Sequence, residues 1–95
     1  MRGFRIELGE VEAALRRSDL VVDAAVVLDR TAASGPALVG HVVAVRREAD
    51  TVRLIRKHLV STLPRHLVPE RIRLVAELPR TASGKTDRNR LLKEE

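Results

Sequence analysis

Apolar positions change their spacing several times along these 95 residues, and each change marks a predicted element. From Gly9 to Arg17 the period is helical: Val11, Ala14 and Leu15 share a face, while Glu10, Glu12, Arg16 and Arg17 are expected to point outward. Acids early and arginines late in that helix suit its macrodipole. Val21 to Leu28 is a run of valine and alanine that reads as a buried strand. Ala33-Ser34-Gly35-Pro36 is a turn signal, and Leu38 to Val45 is a second β-branched run, so the two runs are expected to pair as an antiparallel hairpin. Asp50 or Thr51 can cap the next helix, in which Val52, Ile55, Leu59 and Leu63 recur at helical spacing and Arg53, Arg56 and Lys57 form the wet side. Pro64 and Pro69 bracket an extended link. Ile72, Leu74 and Ala76 then alternate with Arg71, Arg73 and Val75, the pattern of a third strand with one face buried. Asp87 can cap a final helix through Leu91 and Leu92. Phe4-Arg5-Ile6 is too short to stand alone and is expected as one arm of a hairpin whose other arm precedes Met1. The expected fold is α+β: a small three-stranded antiparallel sheet packed with helices, plus a short N-terminal strand or hairpin arm. Repeats, low-complexity tracts and internal linkers are missing from the sequence, so residues 1–95 are expected to form one domain.

Size limits what such a domain can do. A chain this short buries only about 60–65% of the surface its unfolded form exposes. Its 44% apolar content supplies one core but not a core plus an enclosed substrate pocket. Chemistry is therefore expected on a surface loop, with a second protein body completing the site. The sequence has no cysteine, so neither a disulfide framework nor a zinc cluster supports the fold, and no metal site is expected. No apolar run approaches the roughly 18 residues of a membrane span, and the N-terminus lacks a signal-peptide pattern. A cytoplasmic protein without a membrane partner is the expectation.

Charge adds one further constraint. The formal net charge is +5, and arginine outnumbers lysine 15 to 3. A basic domain invites a nucleic-acid reading, but one phenylalanine and no tyrosine or tryptophan leave almost nothing for unpaired bases to stack on. The arginines are also scattered, in pairs at most. Nucleic acid is disfavoured against a solvated basic surface facing a polyanionic small molecule or an acidic partner.

The candidate chemistry lies in Leu78-Pro79-Arg80-Thr81-Ala82-Ser83-Gly84-Lys85-Thr86-Asp87-Arg88-Asn89-Arg90-Leu91, which sets Lys85 on a glycine-containing loop between a short apolar strand and a charged helix. Gly84 frees the backbone for positive φ. Gly84-Lys85-Thr86 does not belong to a P-loop: that motif needs a glycine five positions before Gly84, where Pro79 stands. Taken alone, a lysine beside a glycine is usually a solvated turn residue, and it is the flanking residues that make this one informative.

Those residues resemble the last signature motif of the adenylate-forming enzymes, the superfamily of acyl-CoA synthetases, luciferases and nonribosomal peptide synthetase adenylation domains. Gly3-Phe4-Arg5-Ile6-Glu7-Leu8-Gly9-Glu10-Val11-Glu12 resembles the family's motif just after its interdomain hinge, and Leu63-Pro64-Arg65-His66-Leu67-Val68-Pro69 resembles its proline-bracketed segment. His66 and Leu67 stand where the family often has tyrosine and methionine, a departure expected to affect packing more than chemistry. The resemblance covers nearly the whole chain and implies the small C-terminal lid of such an enzyme. The hinge residue and the large core domain, with its ATP loop, adenine pocket and acyl pocket, lie outside this sequence. The implied activity is ATP-dependent conversion of an amino or carboxylic acid to an acyl-AMP, followed by transfer to a phosphopantetheine thiol on a carrier protein. The 95 residues alone are expected to be inactive. ATP and Mg2+ would be held mainly by the core domain, which is the first implied partner.

By the same resemblance Lys85 would contact the acyl carboxylate and the phosphate across the domain boundary. A compact ammonium with three donors suits two oxygens on different molecules better than arginine's planar fork. Gly84 and Asp87 would support the loop. Asp87 and Arg88 match the "DR" of peptide synthetases, whereas Pro79-Arg80-Thr81 and Ser83 lean toward the acyl-CoA branch. Gly3 and Arg5 would face the active site in the second half-reaction, Gly3 allowing passage of the pantetheine arm and Arg5 lying near the nucleotide or thiol entrance, though Arg5 is equally read as a surface residue.

Two alternatives stay open: a lid of an acyl-CoA synthetase using free CoA, and a non-catalytic basic interaction module. Glu7, Glu10 and Glu12 look like a carboxylate site but are better read as acids at a helix start. His41, His58 and His66 lack metal-ligand spacing and read as packed or surface residues.

Overall fold

Of the first strand's nine residues, four in a row are buried, because both faces of the sheet they sit in are covered. The structure is a computed structural model that describes residues 3–31 and 35–93, with side chains described for 8–31 and 35–92. Its elements are α1 (Gly3–Arg16), β1 (Val21–Asp29), β2 (Ala37–Ala44), α2 (Thr51–Thr62), a 3-10 turn at Arg65–Leu67, β3 (Arg71–Leu74) and α3 (Arg88–Lys93).

The sheet order is β1-β2-β3. β1 and β2 form the expected antiparallel hairpin, with Val26 opposite Gly40 and Leu28 opposite Leu38, and a register shift between Val21 and Asp23. Of the turn expected between them, Ala33 and Ser34 lie outside the described residues; Gly35 takes the positive φ of 105° that favours glycine.

β3 corrects the all-antiparallel expectation. It runs parallel to β2, Val39 facing Arg71 and Val42 facing Leu74. The cause is the connection: α2 carries the chain back along the sheet before β3 begins, and a helical crossover returns a strand in the same direction. The sheet is mixed, and the α+β class holds.

Alternation divides the apolar residues into two cores. Ala24, Val26, Val42 and Ile72 pack with Val11, Ala14 and Leu15 of α1 and Ile55 and Leu59 of α2. Ala25, Val27 and Val39 pack on the opposite face with Leu78 and Leu91. That second, smaller cluster seats the segment that carries the lysine loop. Gly40 lies in β2 against Leu15 and Pro69, where a Cβ would make ordinary contacts of 3.6 and 3.7 Å.

The N-terminal arm is a further correction. Residues 4–6 are helical, in the first turns of α1. A strand must give its backbone groups to a neighbour, and among the described residues none runs beside this segment; a helix pairs them internally. The longer helix also places Glu10 and Glu12 mid-helix, where the macrodipole acts weakly. Thr51 rather than Asp50 fixes the start of α2: its hydroxyl accepts the Glu48 N–H at 2.9 Å and donates to Arg46 O at 3.1 Å, while Asp50 makes no side-chain cap bond. Between Pro64 and Pro69 the link coils once instead of running straight, with Leu67 N–H donating to Pro64 O at 3.0 Å. Arg56 leaves the wet side of α2 to donate to Pro69 O at 2.7 Å.

Candidate functional site

Lys85 stands on a small hairpin held by its own backbone. Arg80 and Thr86 form an antiparallel bridge, Thr81 N–H donates to Lys85 O at 2.7 Å, and Asp87 N–H donates to Pro79 O at 2.8 Å. Gly84 closes the tip with φ at 89° and its N–H on Thr81 O at 2.9 Å, the conformation expected of it. The Thr81 hydroxyl accepts the Lys85 N–H at 3.2 Å and lies 3.0 Å from the Ser83 hydroxyl. The Lys85 side chain is exposed. Asp87 Oδ1 accepts the Arg90 N–H at 3.1 Å, so it begins α3 as the sequence suggests. An open cleft beside the hairpin is lined by Glu77, Leu78, Pro79, Arg80 and Arg90.

Both ends of the hairpin reach acids on other elements. Arg80 Nη2 donates to Asp23 Oδ2 at 3.1 Å. Asp23 Oδ1 accepts Arg16 Nε at 3.2 Å and the Ala24 N–H at 2.8 Å. At the other end Arg88 grips Glu12 with both terminal nitrogens, Nη2 to Oε1 at 3.0 Å and Nη1 to Oε2, and Nη1 also donates to Val26 O at 2.9 Å. Glu12 Oε2 accepts the Val26 N–H at 2.8 Å, and Arg16 Nη2 donates to Ala24 O at 2.8 Å. Arg16 also stands 3.8 Å from Glu12. Arg88, Glu12, Arg16, Asp23 and Arg80 thus make one alternating ladder along the free edge of β1, occupying the N–H and C=O of both Ala24 and Val26.

Glu12 was expected to point into solvent and is instead buried, its side chain only 7% exposed. Burial is tolerable because both oxygens are engaged by a guanidinium and a backbone donor. At Asp23, burial pushes the carboxyl's pKa up, but the Ala24 N–H and then the Arg16 and Arg80 guanidiniums outweigh it and hold the group below its ordinary value. At the far end of β1, Asp29 is lowered by the Thr31 hydroxyl and N–H, with Arg71 adding to the effect. Sequence reasoning read Glu12 as a solvent-facing acid at a helix start and passed over Asp23. Their signal was present: a lone carboxylate inside the apolar run Val21–Leu28, and an acid flanked by Val11, Ala14 and Leu15.

The remaining candidates lie apart. Gly3 and Arg5 are in the first turns of α1, and at ~1.5 Å per residue Gly3 is roughly 13 Å along the axis from Glu12. The Arg5 side chain and Glu7 lie outside the residues whose side chains are described. His41 is buried in β2, His58 Nε2 meets Ala14 O at 2.9 Å, and His66 is exposed. Among the described residues no three His, Asp or Glu side chains gather where a metal ion could bind, and no helix is long and apolar enough to cross a membrane.

A family profile described as AMP-binding enzyme C-terminal domain matches residues 10–85, most of the chain and all of the lysine hairpin up to Lys85. The chain belongs to this family. Among curated relatives, malpibaldin synthetase of Mortierella alpina is 42% identical over 91 residues, which is 96% of this chain and 2% of that protein. The dimodular nonribosomal peptide synthase of Bacillus subtilis is 40% identical over 91 residues, 96% of this chain and 4% of its own length. Among solved structures, the Brucella canis acyl-CoA synthetase superposes with a TM-score of 0.81 at 30% identity, over 92% of this chain and 17% of its own. The amide bond synthetase McbA of Marinactinospora thermotolerans gives 0.81 at 28% identity, over 92% and 18%. The chain therefore spans a small fraction of each protein it matches, and in both peptide synthetases and acyl-CoA synthetases the AMP-binding C-terminal domain is one part among several.

Proposed function

We propose that this AMP-binding C-terminal domain is the mobile lid of an ATP-dependent ligase that activates an amino or carboxylic acid as acyl-AMP and passes it to a phosphopantetheine thiol on a carrier protein. Residues 1–95 are the lid; a core domain supplies the adenine and acyl pockets and holds ATP with its Mg2+, in the cytoplasm. The observation that carries the reading is Lys85, an exposed ammonium on a braced hairpin, in the segment that resembles the family's last motif, facing outward where a second body can meet it.

In the first half-reaction a substrate carboxylate oxygen attacks the α-phosphorus of ATP. The bond from that phosphorus to the bridging oxygen breaks, and pyrophosphate leaves with the electron pair. Lys85 donates to the carboxylate oxygen and to the phosphate, offsetting repulsion between two anions and the charge that builds on the phosphate oxygens. Gly84 gives the tip its shape, and Asp87 anchors its C-terminal stem. In the second half-reaction the lid turns, and the Gly3–Glu10 segment faces the site while a thiol attacks the acyl carbon and AMP leaves; Gly3 and Arg5 line the approach of the pantetheine arm. A carrier-bound arm is favoured over free CoA because the curated relatives cited are peptide synthetases with higher identity than the acyl-CoA ligase structures. Comparing free CoA with a loaded carrier as acceptor tests that preference.

The deciding experiment is a single-turnover assay of each half-reaction in the complete enzyme. Lys85→Ala should slow adenylation at least ~10²-fold with little change in ATP affinity, since a lost transition-state donor costs roughly 2.7–4 kcal/mol. Lys85→Arg should rescue poorly, and thioester formation from supplied acyl-adenylate should stay close to wild type. Wild-type adenylation by the alanine variant would reduce Lys85 to a surface residue.

A further inference from the structure

The ladder along β1 gives the lysine hairpin something its own backbone cannot. Seven residues closed by one bridge and a few turn bonds fix the hairpin's shape, but its direction relative to the sheet depends on where its two stems are tied. The C-terminal stem is tied by Arg88 to Glu12 and Val26, and also by α3, whose Leu91 is buried against Ala25 and Val27. The N-terminal stem has Leu78 in the same core and then, among the described residues, one side-chain tie to the sheet, Arg80 to Asp23. Asp23 is itself held in place. Its other oxygen takes Arg16 and the Ala24 N–H, so the carboxylate cannot swing without giving up bonds to α1 and to its own strand. It sits at the register shift of β1, where the irregularity aims the side chain at the sheet's free edge.

We propose that Asp23 is a positioning residue for Lys85: by holding Arg80 against β1 it sets the direction in which the hairpin presents the ammonium. The proposal rests on the adenylation role of Lys85 argued above. Asp23 touches no substrate; its effect reaches the chemistry through Arg80 and five residues of hairpin. Misplacement by ~1 Å can cost ~10²-fold in rate, and with the Glu12–Arg88 tie still intact the loss on freeing one stem should be smaller, roughly tenfold.

The test uses the complete enzyme and the two half-reactions. Asp23→Asn keeps size and one acceptor but weakens the guanidinium contacts; Arg80→Gln breaks the same tie from the hairpin's side. Each should lower the adenylation rate roughly tenfold with the KM for ATP nearly unchanged, leave thioester formation from supplied acyl-adenylate at the wild-type rate, and together do little more than either alone. In a Lys85→Ala background Asp23→Asn should have no further effect, because there is no ammonium left to aim. Wild-type adenylation by Asp23→Asn, equal losses in both half-reactions, or a loss that multiplies in full with that of Lys85→Ala would each overturn the proposal and leave Asp23 as a structural residue. Failure of the underlying reading looks different: Lys85→Ala would itself adenylate normally. If Asp23→Asn lowers the melting temperature enough to obscure the rates, Asp23→Glu, which keeps the charge, should restore adenylation; failure to do so at full stability would count against the positioning role.

Discussion

An ammonium bridging oxygens of two different molecules needs freedom from its own protein, and Lys85 has it: the backbone around it is tied down while its side chain remains in solvent. Gly84 serves this by accepting a φ of 89° that side chains rarely adopt, and nothing lies within 4 Å of where its Cβ would be. A substitution there would suffer from backbone strain alone. Gly3 is proposed to matter for the opposite reason, as a place where a side chain would intrude on something arriving from outside. Gly3→Leu in the complete enzyme should leave adenylation near wild type while slowing thioester formation, because in the proposed mechanism the residue would meet the pantetheine arm only after the lid turns. Single-turnover assays of the two steps read this directly; equal losses in both would mean that Gly3 serves the fold.

At the level of elements, α1, β1 and the stretch from Arg80 to α3 are joined by charge as much as by packing. Glu12 carries the tightest joint. Glu12→Ala would leave the Val26 N–H without its acceptor and the Arg88 guanidinium without its counter-ion, and breaking a buried pair from one side costs roughly 3 kcal/mol or more. Urea denaturation of the 95-residue chain should show that loss, against well under 1 kcal/mol for Glu10→Ala on the exposed face; similar values for the two would mean the Glu12 contacts contribute little. These joints also mark where sequence reading ended. The β1–β2 hairpin, α2, the Asp87 cap and the positive φ of Gly84 were legible because each depends on residues a few positions apart. The parallel course of β3 was not, since alternation of Ile72 and Leu74 with Arg71 and Arg73 fixes which face is buried and says nothing of direction. Nor was the burial of Glu12, whose partner Arg88 is 76 residues away. Lys85 was found by its flanking motif; the carboxylates that brace its hairpin fall in segments that read as helix surface and strand core.

Taken whole, the molecule is a basic domain in which two aspartates of β1, Asp23 and Asp29, are held by guanidinium and backbone contacts. Asp23 and Asp29 both have pKa values below the ordinary aspartate range, Asp23 through its backbone and guanidinium contacts against the cost of burial, Asp29 through Thr31 and then Arg71. A carboxyl lowered in the folded state stabilises it above the unfolded pKa, and that contribution disappears as pH falls through the folded value. The domain should therefore lose stability below about pH 4. The paired variant Asp23→Asn with Asp29→Asn should be less stable than wild type at pH 7, with the difference shrinking between pH 4 and 2 in denaturation curves. A difference that stayed constant across that range would show that these two carboxyls are not the acid-labile groups.

The sealed edge of β1 has a consequence for how the chain is made. A strand with open N–H and C=O groups is a template on which a neighbouring polypeptide can add itself. Here Ala24 and Val26 are closed off by Glu12, Arg16 and Arg88, and the last of these is synthesised 62 residues after the carbonyl it covers. A sheet that forms before Arg88 is made would carry one unguarded carbonyl beside three guarded groups, so the lysine segment also supplies the last cover of this adhesive edge.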